Sequence, residues 1–234
     1  MFNPGRPAAT ELNRLVSEGI AADIYLAHEA HGIFKTIGEN VAAAEASTYQ
    51  PMLVALQSYA SAELVLAITR LLERQGQRYE LHSVHGTLMY LRDHAADIPI
   101  RELIFLQQAM ERLGLRNQVP HEAGEKQTLA VVDALVSTLP HHTNSTALKA
   151  LKDLRDKRIA HPERAKPEGI ETTTWDEALK LLRIPTEALA VFGAYTSTAY
   201  VDNEGRLFVE TDAARAGVAT SRILALPVTG RPAK

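Results

Sequence analysis

Helical periodicity constrains the fold of this 234-residue chain more than any other feature of its sequence. Apolar side chains recur about every 3.6 residues along three long stretches, residues 12–37, 53–72 and 122–154. Stripes of this kind become buried when helices pack against one another. Turn residues at 198–209 indicate one small C-terminal β-hairpin, and strand patterns are otherwise scarce. The sequence therefore predicts an all-α helical bundle.

Local capping signals mark where several helices begin. Thr10 is a candidate N-cap for the first long helix, and Pro51 suits the first turn of the second. Asn144 or Ser145 can cap the helix that leads to residue 155. The sequence Thr-Trp-Asp-Glu at 174–177 matches a capping box.

Prolines and composition suggest the boundaries. Pro140 is expected to end one helix, leaving two histidines at 141–142 in a solvent-facing loop, and Pro185 is expected to kink a later helix. We predict a flexible arm at residues 1–9, a helical domain at 10–200, and a C-terminal extension at 201–234. The extension would hold the hairpin, a short helix and a loose tail.

Composition narrows the compartment and the class of partner. The chain has no cysteine, which excludes disulfides and suits a reducing compartment. No apolar run approaches the roughly 20 residues of a membrane span, and the N-terminus does not resemble a signal peptide. We therefore expect a soluble cytoplasmic protein. The net charge of −3 does not itself indicate nucleic acid, although a local basic patch would be sufficient.

Nine histidines raise the question of a metal site. His28 and His31 are three residues apart, whereas the zinc-protease helix places its histidines four apart. His82 and His85 could share a helix face, but no third ligand accompanies them, so polar helix residues are the simpler interpretation. No glycine-rich phosphate loop or nucleophile elbow is present. We predict neither a metal nor a cofactor.

The segment from Arg155 to His161 carries the strongest chemical signal. It begins on a helix and ends where Pro162 disfavours helical backbone, so the imidazole of His161 can point away from the bundle. An arginine supplies a permanent charge and a forked donor for phosphate oxygens, and a histidine exchanges protons near neutral pH. The pair suits phosphodiester chemistry without a metal, although the spacing alone is common.

The wider string, Leu-Lys-Asp-Leu-Arg-Asp-Lys-Arg-Ile-Ala-His-Pro at 151–162, resembles the signature of the HEPN superfamily. That signature is an arginine, usually followed by a polar residue, and a histidine after four to six further residues. The acidic residue after the arginine and the Ala-His ending are both typical. The helical layout over 10–200 looks most like the branch linked to phage abortive infection, and the strict match covers about a dozen residues.

The resemblance implies a helical homodimer in which two such motifs form one cleft, and many members are metal-independent ribonucleases. Carried onto this chain, it makes Arg155 and His161 catalytic and puts Asp156 at the polar position. One departure is Glu163, because some toxins of the superfamily have a tyrosine there that their antitoxin modifies. An antitoxin or a phage-derived trigger is nevertheless an expected partner.

The expected reaction is attack of a 2′-hydroxyl of RNA on the adjacent phosphate. His161 would act as general acid or base, Arg155 would stabilise charge on the phosphoryl oxygens, and Asp156 would orient one of them. Three further cations would hold the RNA backbone, namely Lys157, Arg158 and Arg164.

Two other interpretations stay open. The chain could be a non-catalytic module that binds a nucleotide, RNA or a protein partner through its basic segment. Alternatively, Arg155 and Asp156 could be salt-bridge partners on a surface helix, since most charge runs are solvated faces.

Overall fold

Helices form the regular structure of the described part of the chain, which has no strand, so the predicted all-α bundle is confirmed. The structure is a computed structural model that describes residues 7–74, 82–118, 124–159, 173–202, 206, 208 and 210–225, without the side chains of 141–143, 157–158 and 210–214. Its α-helices are α1 (Ala8–Arg14), α2 (Ala22–Glu39), α3 (Val41–Ala46), α4 (Gln50–Leu71), α5 (Val84–Asp93), α6 (Leu103–Arg112), α7 (Glu125–Thr143), α8 (Thr146–Leu154), α9 (Trp175–Lys180), α10 (Arg183–Thr196) and α11 (Glu210–Leu224). Two π-helical stretches, Leu15–Ala21 and Arg155–Ile159, and one 3₁₀ turn, Arg116–Gln118, complete it.

The antiparallel pair of α2 and α4 forms the centre of the fold. Arg70, near the end of α4, donates to Asp23, near the start of α2, over 2.7 Å. At the opposite end, Gly38 lies against the side chain of Gln57. Apolar side chains of both helices are fully buried between them, among them Ile24, Leu53, Leu64 and Ile68. The periodic stripes of the sequence therefore meet as predicted.

By length and composition, α4 is the one helix in the described part of the chain that could cross a membrane. The core helix of a soluble protein has the same properties. Leu53, Leu64, Val65, Ile68 and Leu71 of α4 are all fully buried in the hydrophobic core. The packing of α4 thus accounts for the buried part of its apolar surface, whereas Met52, Val54 and Tyr59 on the same helix are exposed.

Helices α6 and α10 form a second antiparallel pair. The backbone N–H groups of Arg101 and Glu102 both donate to the carbonyl of Ala194, over 2.9 and 3.0 Å. At the other end, Arg112 donates to the buried carboxylate of Glu187 over 2.9 Å. Because α10 is buried on nearly all sides, this carboxylate is stabilised by its guanidinium partner rather than by water.

The C-terminal helix α11 packs along α2. Gly217 allows a close approach, since a Cβ there would lie 3.2 Å from the carbonyl oxygen of Gly32. Further along, Ile223 and Leu224 pack against a small cluster that contains Ile37 and Leu53. This contact closes one side of the α2–α4 pair.

Several local predictions are confirmed. The hydroxyl of Ser145 accepts from the N–H of Leu148, so serine caps α8. Thr174 and Glu177 form both halves of the capping box of α9. Thr10 was the wrong cap, because α1 begins at Ala8 with Pro7 at the N-cap and no side-chain hydrogen bond. Proline supplies a fixed φ at that position instead.

The two internal prolines act differently from the prediction. Helix α7 continues through Pro140 to Thr143, so the backbone at 141–142 is helical and not a loop. Proline removes one intrahelical donor there, and only a single turn follows it. Pro185 does not kink a long helix, because α9 ends at Lys180 and Pro185 lies in the first turn of α10, where its missing N–H is unneeded.

The predicted hairpin lies partly outside the described residues, which omit 203–205, 207 and 209. The chain does reverse direction here. The N–H of Phe208 donates to the carbonyl of Tyr200, and that of Asp202 to the carbonyl of Arg206, each over 2.9 Å. The described residues of this turn do not form a strand.

The reversal after α10 gives a stability prediction. A Cβ on Gly193 would lie 2.4 Å from the carbonyl oxygen of Thr198, so Gly193→Ala should destabilise the protein by about 1–3 kcal/mol through overpacking. Gly38→Ala is the matched control, because it meets only the flexible end of Gln57 and should stabilise by about 0.5–1 kcal/mol. Urea denaturation followed by circular dichroism measures both. Equal stabilisation by the two substitutions would contradict this account of the turn.

Candidate functional site

The helix that carries the candidate site widens where its functional residues begin. Helix α8 buries Leu148, Ala150 and Leu151 and then continues as the π-helical stretch Arg155–Ile159. In a π-helix the hydrogen bonds link residues five apart. Leu154 and Ile159, which are five apart, accordingly line the same cleft. Arg155 is not among the described residues that line this cleft, and its side chain contacts Glu73 instead.

Two carboxylates hold Arg155. Its Nη1 lies 3.1 Å from Oε2 of Glu73, and its Nε lies 2.7 Å from Oδ1 of Asp156. The side chains of Arg155 and Glu73 are 21% and 32% exposed, so this ion pair is partly buried, whereas Asp156 is 59% exposed and its pair with Arg155 faces solvent. The hydrogen bond that Arg155 donates to Asp156 raises the pKa of Arg155, burial opposes that rise, and the charge of Glu73 adds to it. The guanidinium is therefore always charged and fixed in orientation.

One nitrogen of this guanidinium still has donors to offer. Nε and Nη1 are used by Asp156 and Glu73, whereas Nη2 makes no hydrogen bond within the described part of the chain. Arginine has five N–H donors in a rigid fork. An oriented guanidinium with a remaining N–H pair can bind a phosphate oxygen.

The structure brings together two of the predicted site residues, Arg155 and Asp156. The backbones of Lys157 and Arg158 belong to the same π-helical turn, but their side chains lie outside the described part. His161 and Arg164 also lie outside the described residues. Their predicted roles therefore still rest on the sequence.

Sequence analysis missed Glu73. It lies 82 residues before Arg155 in the chain, just after the end of α4, and no motif links the two positions. The contact follows from the packing of α8 and its π-helical continuation against α4. Two cations of the predicted basic cluster precede the site on α8, where Lys149 is exposed and Lys152 is half-buried.

A cavity of about 190 Å³ lies at the same end of α4. Its walls are mostly apolar, and Arg74 and His85 add two nitrogen-bearing side chains. Nδ1 of His85 is buried without a hydrogen-bond partner in the described structure. Burial lowers the pKa of His85, and the charge of Arg74 lowers it further, which favours the neutral imidazole. His82 lies elsewhere, against Gly19, so the two histidines do not form a shared metal face.

The other histidine pair of the sequence, His28 and His31, lies on α2. Burial, followed by the charge of Lys35, lowers the pKa of His31 on α2. Within the described residues, no group of three or more histidine, aspartate or glutamate side chains is arranged to hold a metal ion.

Comparison with known proteins found no relative of this chain. No protein-family model matches the chain, and no curated protein or solved structure matches it.

The ion pair between Arg155 and Glu73 gives a measurable prediction. A double-mutant cycle with Arg155→Ala and Glu73→Ala should give a coupling energy of about 1 kcal/mol in urea denaturation, because both side chains are partly buried. Arg116 and Glu111 form the control pair, since both are more than 60% exposed and should couple by about 0–0.3 kcal/mol. Equal coupling in the two cycles would show that the Arg155 contact has no special strength.

Proposed function

We propose that the chain is a metal-independent endoribonuclease of the HEPN type. The observation that carries this proposal is the guanidinium of Arg155, which Glu73 and Asp156 orient and whose Nη2 makes no hydrogen bond within the described residues. Its location supports the same function, because π-helical turns are rare and occur frequently at functional sites. The sequence resemblance supplies the family and the second catalytic residue, His161.

In the proposed reaction, the 2′-oxygen of a ribose attacks the adjacent phosphorus and the bond from phosphorus to the 5′-oxygen breaks. His161 accepts the proton of the 2′-hydroxyl. The histidine of the second motif donates a proton to the leaving 5′-oxygen. Arg155 donates from Nη2 to the phosphoryl oxygens, where negative charge grows. The products are a 2′,3′-cyclic phosphate and a 5′-hydroxyl.

Other residues have supporting roles in this proposal. Asp156 and Glu73 position the guanidinium and do not touch the RNA. Three cations next to the motif hold the RNA backbone without reading its sequence, namely Lys157, Arg158 and Arg164. We place the activity in the cytoplasm, in anti-phage defence or as a toxin, under the control of an antitoxin or a phage-derived trigger.

Assembly as a two-fold homodimer would bring two Arg155–His161 motifs to one cleft. Exposed apolar side chains support a self-association surface, namely Met52 and Tyr59 on α4 and Tyr49 at its N-cap. Tyr59 is the most exposed of them at 73%. A self-complementary surface is the commonest basis for a homodimer.

The rival function is a non-catalytic module that binds a nucleotide, RNA or a protein partner. One observation favours it: the two carboxylates already compensate the charge of Arg155, as in a purely structural ion pair. The two functions differ in whether RNA is cleaved.

Arg155→Ala and His161→Ala should each abolish RNA cleavage. Loss of a charge-stabilising donor typically costs about 10²–10³-fold, and loss of acid–base catalysis about 10²–10⁴-fold. The measurement is gel analysis of a mixed RNA substrate, with excess chelator present in a parallel reaction. Chelation should leave the rate unchanged.

Arg116→Ala is the matched control, since this exposed arginine lies on the 3₁₀ turn and should leave cleavage unaffected. Lys157→Ala and Arg164→Ala should mainly weaken RNA binding and its salt dependence. A folded wild-type dimer that leaves all RNA intact, with and without candidate triggers, would contradict the ribonuclease and support the non-catalytic binding module.

Sedimentation velocity tests the assembly. The wild type should sediment with about twice the chain mass of 25.6 kDa. Tyr59→Glu should dissociate the dimer, because it would bury an unpaired charge in the apolar interface. Val218→Glu on α11 is the control, as Val218 is also exposed but lies on another helix. A monomeric wild type would contradict the composite site. A dimer that tolerates both substitutions would show that this α4 surface is not part of its interface.

A further inference from the structure

A cleft of about 680 Å³ lies between α2, α4, the end of α8, the π-helical turn and α9. Its size falls within the range of small-molecule sites, about 300–1,000 Å³. Leu154 and Ile159 line one wall, and they flank Arg155 in the chain. The same short segment of the chain therefore carries the guanidinium and one wall of the cleft.

Two aromatic rings form another part of the lining. Trp175, the first residue of α9, packs against Phe34 of α2 with ring centroids 4.7 Å apart and planes tilted by 53°. Both side chains are half-buried and both line the cleft. The capping box fixes the start of α9 and so fixes the backbone that carries the indole. A supported, partly exposed indole is a stacking surface for a planar ring.

The α4 wall supplies hydrogen-bonding groups without charge. Gln57, Ser58 and Ser61 face the cleft, and none of its lining residues in the described structure is charged. The amide and hydroxyl groups on α4 can hydrogen-bond the edge of a heterocycle, and the aromatic rings can stack on its face. The Arg155 guanidinium is not among the described lining residues, and it pairs with Glu73 just after the end of α4.

We propose that this cleft, which is lined in part by the segment that carries Arg155, is the subsite that takes an unpaired nucleobase of single-stranded RNA. This inference rests on the proposed function, because it gives the ribonuclease its substrate class. Stacking accepts any base, since every base has a π-face, so the cleft selects single strands over duplexes without selecting sequence. Hydrogen bonds from Gln57 and the two serines then hold the edge of the base.

The only tryptophan of the chain, Trp175, reports on this site directly. The probe is a short single-stranded 2′-O-methyl RNA, which cannot undergo 2′-hydroxyl attack, and the matched ligand is the same strand with abasic residues. The base-bearing strand should quench the fluorescence of the wild type and bind about 5- to 150-fold more tightly than the abasic strand. Equal binding of both strands with unchanged fluorescence would overturn the inference.

Two variants locate the effect. Trp175→Ala should weaken binding of the base-bearing strand, measured by fluorescence anisotropy of a labelled oligonucleotide, and leave the abasic strand unaffected. Because that variant removes core contacts, Ser61→Leu serves as a second test that fills the cleft from the α4 wall. Ser221→Leu is its matched control, because Ser221 is an exposed residue of α11, and this variant should bind like the wild type. Equal affinity in the Ser61 and Ser221 variants would place the base elsewhere.

Cleavage of unmodified RNA, measured in parallel, separates this inference from the proposed function. Quenching and base-dependent affinity without cleavage would support the cleft and contradict the ribonuclease. Cleavage by a protein that binds both strands equally would support the ribonuclease and contradict the cleft.

Discussion

Burial of α4 is the constraint on which the rest of the structure depends. Its core face supplies Leu53, Leu64 and Ile68, and the antiparallel contact with α2 orients it. Once that face is buried, one flank of α4 becomes the uncharged wall of the cleft, and its C-terminal end carries Glu73 to Arg155. The positions of the cleft and the guanidinium are thus both consequences of how a single helix packs.

The two π-helical stretches have different physical reasons. In Leu15–Ala21, Gly19 lies against His82, where any side chain would collide with the Cβ of the histidine at 2.6 Å, so the stretch accommodates packing. In Arg155–Ile159 the wider turn brings residues that are five apart onto one face. Leu154 and Ile159 line the cleft, while Arg155 turns toward Glu73. A regular α-helical turn would place residues three and four apart on one face, not five.

Sequence analysis predicted those features that depend on neighbouring residues. Ser145 and the pair of Thr174 and Glu177 cap helices through bonds to residues three positions away, so their patterns are readable. Pro140 was misjudged because the cost of a missing donor near a helix end depends on the surrounding packing. Glu73 could not be predicted at all, because its contact with Arg155 spans 82 residues and requires the tertiary fold. The cleft at Trp175 was missed for the same reason, since five separate elements form it.

The charges around Arg155 determine how an RNA strand could bind here. One guanidinium and two carboxylates have a net charge of −1, so this cluster by itself does not attract a phosphate. Attraction must come from the other cations of the segment, such as Lys152, and that contribution falls as salt rises. Stacking in an uncharged cleft falls much less with salt, because it releases few counterions. In the proposed ribonuclease the two carboxylates would fix the geometry of the guanidinium, while affinity for the strand would come from the base and from the neighbouring cations. Arg155 would contribute most when negative charge grows on the phosphate, which is when orientation matters more than attraction.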